Sequence, residues 1–359
     1  MTDLDLLYSE EEEALRAAVR GLLADHCDPA GVIARTESET PHDIALWKAL
    51  ADGMGLAGLL IPEELDGQGA THREAAVVLE ELGRAVAPVP YLTSAVVATE
   101  ALLECGADDL LTELATATTI GALAVALSTA PGGAFRTVRV ENGTLHGELT
   151  GIADATVADV LLVPADDGGL YAVAAGAATV TAKPSLDLTR PVATVVLEGA
   201  PGRRLGDAEP AVRRALRAAA GLLASEQLGV ADWTLTETVR YLKERKQFNR
   251  PVGGFQALKH RLAQLWLEVV NLRAAARGAA DALATGADTD VAVAVAQAYA
   301  APVAVHAAEE ALQLHAGIGM TWEHPIHLYL KRAKADSIAY GTAGAHRAAL
   351  AELVDLQAP

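Results

Sequence analysis

Residues 240–265, RYLKERKQFNRPVGGFQALKHRLAQL, decide how the chain is organised. This stretch ends one long helical segment, turns through Pro251 and a pair of glycines, and begins a second helix. Its turn carries charged, amide and aromatic side chains that core packing does not require, namely Arg245, Lys246, Gln247, Phe248, Asn249 and Arg250. A fixed cation beside an aromatic ring at a helix end suits a phosphate-bearing cofactor with a flat ring system. The alternative is a solvated helix end in which Lys and Arg stems cover one buried Phe.

The segments on either side of this stretch predict a helical bundle. Residues 211–245 contain no proline, so one long helix is expected there. After the turn, leucine and valine recur at spacings of 4, 3, 4 and 3, which is the seam of a bundle, at Leu258, Leu262, Leu265, Val269 and Leu272. Further helices are predicted over residues 290–315, 325–340 and 343–356, with a kink at Pro302.

The first third of the chain also predicts helices. Ser9 followed by Glu12 has the form of a capping box. Helices are expected over residues 43–54, 73–83 and 93–104, and the second of these is expected to end at Gly83. The sequence pattern then changes near residue 117.

The middle of the chain predicts short strands. Val138 and Val140 alternate with an arginine, and the Asn142-Gly143 pair that follows suits a tight hairpin. Apolar runs at residues 160–163, 171–173, 177–180 and 193–197 are separated by turn signals. We therefore predict a mainly α protein with a central, mostly antiparallel β domain, divided at residues 1–116, 117–205 and 206–359.

Composition narrows the class of protein. The hydrophobic fraction is 51% but aromatics are only 4%, which is typical of closely packed Ala, Val and Leu helices. A net charge of −19 argues against nucleic acid and anionic membranes as partners. Two cysteines without metal-ligand spacing, an acidic N-terminus and no run of about 18 consecutive apolar residues favour a cytoplasmic protein.

Several segments together resemble the acyl-CoA dehydrogenase family. They are LWKALADGMGLAGLLIPEELDGQGA (46–70), VVLEELGRAVAPVPYL (77–92), SLDLTRPVATVVLE (185–198), ERKQFNRPVGGFQALKHRLAQL (244–265), LQLHAGIGMTWEHPIHLYLKRAKA (312–335) and IAYGTAGAHR (338–347). They cover almost the whole chain in the order found in the family. The phrase TWEHPIHLYLKRA resembles actinobacterial members that act on large acyl-CoA thioesters, including those of sterol side chains.

The resemblance implies a fold and a chemistry. The family fold is an N-terminal helical domain, a β-barrel-like middle and a C-terminal four-helix bundle. The family binds FAD, a glutamate removes the α-proton of the acyl-CoA substrate, and hydride passes to the flavin. Each FAD lies between two subunits, and electrons generally pass to an electron-transferring flavoprotein.

The resemblance also implies cofactor-binding residues. Arg245 and Phe248 match the RxxF pair that reaches a neighbouring subunit's FAD, with Gln247 between them and Phe255 at the next contact position. Farther along, Gln313 and Gly317 match the family's glutamine and the second of its two glycines. The alternative for this second pair is an ordinary helix C-cap. Two positions depart from the family pattern, Asn249 and Ala316, where glycine is usual.

The family's catalytic glutamate is missing from both of its known positions. Tyr340 stands directly before Gly341-Thr342, where the glutamate is usual, and Ala219 occupies the alternative position on the long helix. Ionising a tyrosine at neutral pH costs on the order of 4 kcal/mol. Glu226, seven residues after Ala219, is a distant second candidate because it lies about 10 Å along the helix. A salt-bridge carboxylate is the preferred interpretation of Glu226.

Other sites are weakly indicated. The segments that would hold a flavin ring, ALAVALSTAPGGA (122–134) and HGELTGIADATVADVLLV (146–163), lack the family's usual motifs. His315, His324 and His327 have no nearby acidic ligand in sequence except Glu323, so polar histidines are preferred to a metal site.

These observations give an asymmetric prediction, in which residues that serve a neighbour's FAD are kept and those that serve the chain's own are lost. We predict a non-catalytic subunit of a heteromeric acyl-CoA dehydrogenase whose substrate is an acyl-CoA, with a homologous catalytic partner that supplies the glutamate and the flavin-ring pocket. One alternative is a self-sufficient homomeric enzyme whose base is Glu226 or Tyr340. Another is a scaffold protein of the same origin that binds neither flavin nor acyl-CoA.

Overall fold

The computed structural model describes residues 6–356. Helices form both ends of this part of the chain and two β-sheets form its middle. The predicted fold class, a mainly α protein with a central β domain, is confirmed. The predicted division at residue 116 falls between the last N-terminal helix and the first strand, whereas that at residue 205 falls inside a strand.

The N-terminal helices pack through one apolar core. They are α1 (Glu10–His26), α2 (Pro29–Thr36), α3 (Ile44–Ala51), α4 (His72–Ala85), a wide π-helical segment (Tyr91–Ala98) that leads into α5 (Thr99–Cys105), and α6 (Asp108–Ala115). The predicted capping box of α1 is present, because Ser9 Oγ accepts from the Glu12 amide at 3.1 Å and the Glu12 carboxylate accepts from the Ser9 amide at 2.7 Å. A buried core that includes Trp47 and Leu50 holds these helices together.

The middle of the chain is a pair of four-stranded sheets. The strands are β1 (Gly121–Leu123), β2 (Arg139–Glu141), β3 (Thr144–Ala153), β4 (Val160–Pro164), β5 (Gly169–Ala174), β6 (Thr179–Lys183), β7 (Val192–Pro201) and β8 (Arg203–Asp207). One sheet has the order β1-β4-β5-β8 and the other β2-β3-β7-β6. Only the β1–β4 strand pair is parallel among the described residues, so the prediction of a mostly antiparallel domain agrees with the pairing.

Strand β4 joins the two cores. Successive side chains of a strand point to opposite faces of its sheet. Leu161 and Val163 therefore face the interior between the two sheets, while Val160 and Leu162 join the helical core. Being buried on both faces explains why this strand is an unbroken apolar run.

The C-terminal helices form the bundle. They are α7 (Ala208–Glu244), α8 (Gln256–Thr285), α9 (Thr289–His315), α10 (Ile326–Asp336) and α11 (Ala343–Leu353), and a short ribbon of β9 (Lys246–Gln247) and β10 (Arg250–Pro251) joins α7 to α8. The single helix expected from the proline-free segment is present as the 37 residues of α7. Leu265, Val269 and Leu272 of the predicted seam are at most 2% exposed.

Helix α9 contains Pro302, the position of the predicted kink, within one continuous element. The end of α10 differs from the sequence prediction. Helix α10 ends at Asp336 rather than at Tyr340, which has a φ of +52° that a helix cannot contain.

Glycines bring α4 and α7 into backbone contact. A Cβ on Gly83 would lie 2.2 Å from the Glu226 carbonyl oxygen, and one on Gly229 would lie 1.9 Å from the Glu80 carbonyl oxygen. The prediction that Gly83 ends its helix is therefore wrong, since α4 continues to Ala85 and the glycine instead permits the crossing.

One segment is apolar enough to cross a bilayer by length and composition. It is Thr289–Met320, which contains α9, and 56% of its most apolar window is buried inside the fold. In this structure it packs against α7, α8, α10 and α11 as the central helix of the bundle.

Candidate functional site

The turn between α7 and α8 is a two-residue hairpin. Gln247 pairs with Arg250 across the ribbon, and the residues between them, Phe248 and Asn249, have φ of +52° and +61°. Positive φ at both central positions is what a type I′ turn requires. Asn tolerates this conformation, which explains how it replaces the family's glycine at residue 249. A phenylalanine with positive φ is a backbone outlier.

The hairpin carries an exposed aromatic ring. Phe248 is 85% exposed, and its ring meets the edge of the Phe255 ring at a centroid distance of 6.2 Å. The Arg250 guanidinium lies 3.9 Å from the centre of the Phe255 ring. The hairpin therefore presents two rings and a cation at the surface, and the sequence-based alternative of one buried Phe is wrong for Phe248.

A cleft of about 400 Å³ lies beside the hairpin and brings together three of the predicted residues. Arg245 and Gln247 line one side, and Gly317 lines the other. A Cβ on Gly317 would meet nothing within 4 Å, so the backbone there is open to a ligand. The other predicted residues, Phe248, Phe255 and Gln313, are not among the residues that line this cleft. Gln313 is exposed in the last turn of α9.

Sequence reasoning missed two aromatic residues of this cleft, Tyr241 and His315. Their rings stack at a centroid distance of 4.4 Å. Tyr241 precedes Arg245 by four residues, so it lies on the same face of α7, and this spacing could have identified it. His315 could not have been identified in this way, because its contact with Tyr241 joins two distant helices.

The second departure from the family pattern places strain beside the cleft. Ala316 has φ of +55° and ψ of −132°, a combination that normally belongs to glycine. The family's glycine at this position would adopt the same backbone without a Cβ. Alanine is therefore a less suitable residue than glycine for this backbone conformation.

Tyr340, at the family's glutamate position, is buried. It is 3% exposed, its amide donates to the Leu127 carbonyl oxygen at 2.7 Å, and burial raises the pKa of its phenol. The space that it lines, with Leu216 and Leu127 among its neighbours, measures about 10 Å³. That volume is roughly what one water molecule needs. Among the described residues, none of those lining this space is an aspartate or glutamate.

Glu226, the other candidate base, lies inside a buried network of ions. It is 1% exposed and accepts hydrogen bonds from Arg190 at 2.5 Å and from Arg332. Arg332 also binds Asp187 at 2.5 Å, and Arg190 also binds Asp336 at 2.8 Å. Burial alone would raise the pKa of Glu226, but the two guanidinium groups hold it below its ordinary value. This placement agrees with the interpretation of Glu226 as a salt-bridge carboxylate.

Asp336 is the protonatable member of the same network. Burial and the nearby charge of Glu226 raise the pKa of its carboxyl to about 8. Its Oδ2 is buried without a hydrogen-bond partner, which fits a protonated acid. The network joins the loop before β7 to α7 and α10, so it is a joint between the β domain and the bundle.

The region that would hold a flavin ring forms a smaller, mostly apolar cleft of about 240 Å³. Residues of both weakly matching segments line it, including Ala124, Thr129, Leu149 and Thr150. Arg136 is the one charged side chain among its lining residues in the described part of the chain.

The three histidines separate into a pair and a single residue. His315 and His324 lie with ring centroids 4.7 Å apart. His327 instead stacks on Trp322 at 4.3 Å and bonds to the carbonyl oxygen of the same residue at 3.0 Å. Glu237 of α7 reaches the pair, and no sequence spacing indicated it.

Comparisons with known proteins cover most of the chain. A sequence model of the acyl-CoA dehydrogenase N-terminal domain matches residues 9–121, and one of the C-terminal domain matches residues 210–354. Acyl-CoA dehydrogenase IpdE2 of Mycolicibacterium smegmatis is 38% identical over 335 residues, which are 93% of this chain and 95% of that protein.

Two solved structures share both fold and sequence with this chain. A chain of the ChsE4-ChsE5 complex from Mycobacterium tuberculosis aligns with a TM-score of 0.87 and 30% identity, covering 99% of this chain and 100% of the other. A chain of a variant of the Tcur3481-Tcur3483 steroid ACAD aligns with a TM-score of 0.85 and 32% identity, covering 96% and 98%. With both domain models matched and the full-length relatives aligned end to end, this chain belongs to the acyl-CoA dehydrogenase family.

Proposed function

We propose that this chain is the non-catalytic subunit of a heteromeric, FAD-dependent acyl-CoA dehydrogenase. A homologous partner subunit supplies the glutamate base and the flavin-ring pocket for α,β-desaturation of a CoA thioester. This chain completes the partner's FAD site. The observation that carries the proposal is a contrast, between an open cleft at Arg245 and a filled space at Tyr340.

The open cleft has the chemistry that a dinucleotide needs. Arg245 offers a planar cation for a diphosphate, and the uncrowded backbone at Gly317 permits close approach of its oxygens. Phe248 places an exposed ring beside them, in a backbone conformation that is costly for phenylalanine. When bound, FAD would supply the hydride acceptor. The role of these residues is to hold its diphosphate and adenine, not to touch the reacting atoms.

The filled space argues against catalysis by this chain alone. A volume of about 10 Å³ holds no acyl group, and the phenol of Tyr340 is held in its neutral form by burial. Glu226 is already committed to two arginines and is 1% exposed, so it cannot reach a substrate without breaking the network. These observations count against the homomeric alternative with either residue as base.

An apolar face of α8 supports a partner subunit. Ala263, Trp266, Leu267, Val270 and Ala274 recur at helical spacing on the outer side of the helix. Trp266 is 56% exposed and Leu267 is 50% exposed, which is unusual for large side chains in a monomer. We assign this face to the homologous catalytic subunit, because the solved structures of two relatives are each described by the names of two proteins, Tcur3481-Tcur3483 and ChsE4-ChsE5.

The acyl group is the finer part of the proposal. One solved relative is described as a steroid ACAD, and the segment at residues 321–333 resembles members that act on sterol side chains. We therefore expect a bulky, sterol-derived acyl-CoA as substrate, an electron-transferring flavoprotein as acceptor, and a cytoplasmic complex. A panel of steroid and straight-chain acyl-CoA thioesters, assayed with the complex, tests the substrate class.

The first experiment compares the chain alone with the chain co-expressed with a homologue encoded nearby. We expect stoichiometric FAD and turnover only from the complex. Stoichiometric flavin and turnover from this chain alone would overturn the proposal. No flavin absorbance in any partner mixture would instead favour the scaffold alternative.

The second experiment replaces Arg245 with alanine in the complex. A hydrogen bond to a charged group contributes about 1.5–3 kcal/mol, so FAD should bind roughly 10- to 100-fold more weakly. Turnover should return at saturating FAD, because the partner's base is untouched. Lys243→Ala is the matched control, since Lys243 is also an exposed cation at the end of α7 but does not line the cleft. Unchanged FAD affinity in Arg245→Ala would remove the cleft from the cofactor site.

A further inference from the structure

Three side chains with metal-binding chemistry converge at one edge of the cleft. They are Glu237 from α7, His315 from the end of α9, and His324 from the loop before α10. One ligand atom from each lies within 4.8 Å of the other two. Because the three residues come from separate elements, their approach is set by the packing of the bundle rather than by local sequence.

His315 offers a buried nitrogen that has no partner. Its side chain is fully buried, and its Nδ1 lies 2.7 Å from the Ala311 carbonyl oxygen. A carbonyl oxygen can only accept, so Nδ1 carries the hydrogen and Nε2 of the neutral ring presents a lone pair. That Nε2 has no hydrogen-bond partner in the described part of the chain. An unpartnered buried acceptor needs a donor or a cation.

The other two groups are suited to join it. Burial lowers the pKa of His315, and burial together with the nearby His315 lowers that of His324, which favours the neutral form of both rings. Metal binding requires neutral imidazole. The Ile326 amide donates to Nδ1 of His324 over a long distance of 3.3 Å.

Glu237 supplies a carboxylate that is paired with an arginine. Arg240 donates to both of its oxygens, at 2.8 and 2.5 Å. A carboxylate has about four lone-pair positions, so this contact leaves room for a metal ion. Arg240 also bonds to Glu244 at 2.8 Å, which gives its charge a second partner when Glu237 binds a cation.

We propose that Glu237, His315 and His324 form a binding site for a divalent transition-metal ion of the zinc class. Two imidazoles and one carboxylate are a common ligand set for such ions. Bond lengths of about 2.0–2.2 Å place tetrahedral ligands roughly 3.3 Å apart, so the three side chains contract slightly on binding. Of the three ligands, His315 also lines the cleft.

Other occupants fit the site less well. A phosphate oxygen would need a hydrogen on Nε2 of His315, and this ring carries its hydrogen on Nδ1. His327 takes no part, since it stacks on Trp322 and bonds to the same residue's carbonyl oxygen. The proposal does not depend on flavin or on a partner subunit.

The test titrates zinc chloride into the tag-free, chelator-treated chain by calorimetry and follows cobalt binding by visible absorption. We expect one ion per chain. His315→Phe keeps a ring against Tyr241 but removes the nitrogen, and Glu237→Gln keeps the shape but removes the charge, so each should weaken binding at least 10-fold. His260→Ala removes an exposed histidine of α8 and should leave the affinity unchanged.

Far-UV circular dichroism and thermal midpoints check that each variant folds. If His315→Phe does not fold, His324→Gln replaces it as the second ligand variant. Absence of a stoichiometric site in the parent chain would overturn the proposal. Full zinc affinity in the folded His315→Phe and Glu237→Gln variants would also overturn it. The same would follow if His260→Ala lost as much zinc affinity as these two variants.

Discussion

Replacing Glu226 with glutamine separates a structural carboxylate from a catalytic one. The variant keeps the size of the side chain but removes the anion between Arg190 and Arg332, both of which are buried. Breaking a buried ion pair by removing one partner costs about 3–5 kcal/mol. Asp187 remains to compensate one cation, and Asp336, whose pKa the charge of Glu226 helps to raise, ionises more readily once that charge is removed. The expected loss is therefore near the lower end, about 3 kcal/mol.

The assay is denaturant unfolding of the parent and variant, with thermal midpoints as a second measure. A loss of about 3 kcal/mol corresponds to roughly 5 °C in the midpoint for a chain of this size. Glu244→Gln is the control, because Glu244 lies on the same helix and pairs only at the surface, so its change should stay within about 0.5 kcal/mol. A Glu226→Gln protein of parental stability whose complex has lost turnover would refute the structural role. Activity of this variant is therefore interpretable only beside its stability.

Three further predictions follow from the geometry. Gly229→Ala should destabilise the chain by at least about 1–3 kcal/mol, because the new Cβ would lie 1.9 Å from the Glu80 carbonyl oxygen. The control Gly21→Ala lies in open space on α1 and should stabilise the chain by roughly 0.5–1 kcal/mol. Equal unfolding midpoints of the two variants would contradict the close contact between α4 and α7. Ala316→Gly should raise stability by about 1 kcal/mol by relieving backbone strain, and a lower midpoint would show that no strain is stored there. The carboxyl of Asp336 has an ordinary pKa of 3.8 and a folded pKa of about 8, so the folded chain keeps a proton that the unfolded chain releases between these values. Its contribution to stability is full below the lower value and is lost as pH rises through the higher one. Asp336→Asn should therefore flatten the fall in midpoint between pH 3.8 and about 8, and an unchanged slope in that window would assign the titration elsewhere.

The sequence predicted most of the architecture where local rules apply. The proline-free segment gave α7 to within three residues of its start, and the Ser9-Glu12 box gave the start of α1. These features depend on neighbours in the chain, which a sequence displays directly. The hairpin at Phe248 was missed, because phenylalanine is a poor residue for positive φ and only the surrounding pairing holds it there.

The rest could not be predicted, because it depends on contacts between distant residues. Gly83 fits the pattern of a helix cap, and only its contact with α7 shows that it permits a crossing. Glu226 meets its arginines across 36 and 106 residues of chain, so no spacing rule reveals the network. Glu237 reaches His315 in the same way, which is why the histidines were interpreted without an acidic neighbour. The cofactor residues were assigned through the family resemblance, and their roles stay predictions.

The buried ion network also sets an order for folding during synthesis. Glu226 leaves the ribosome 106 residues before Arg332, and Arg190 precedes its partner Asp336 by 146 residues. Until α10 has been made, the joint between the β domain and the bundle lacks Arg332, which pairs with Asp187 and Glu226, and Asp336, which pairs with Arg190. Contacts of such long sequence separation form late and slowly. The contacts that join the β domain to the bundle through this network are therefore completed only after α10 has been synthesised.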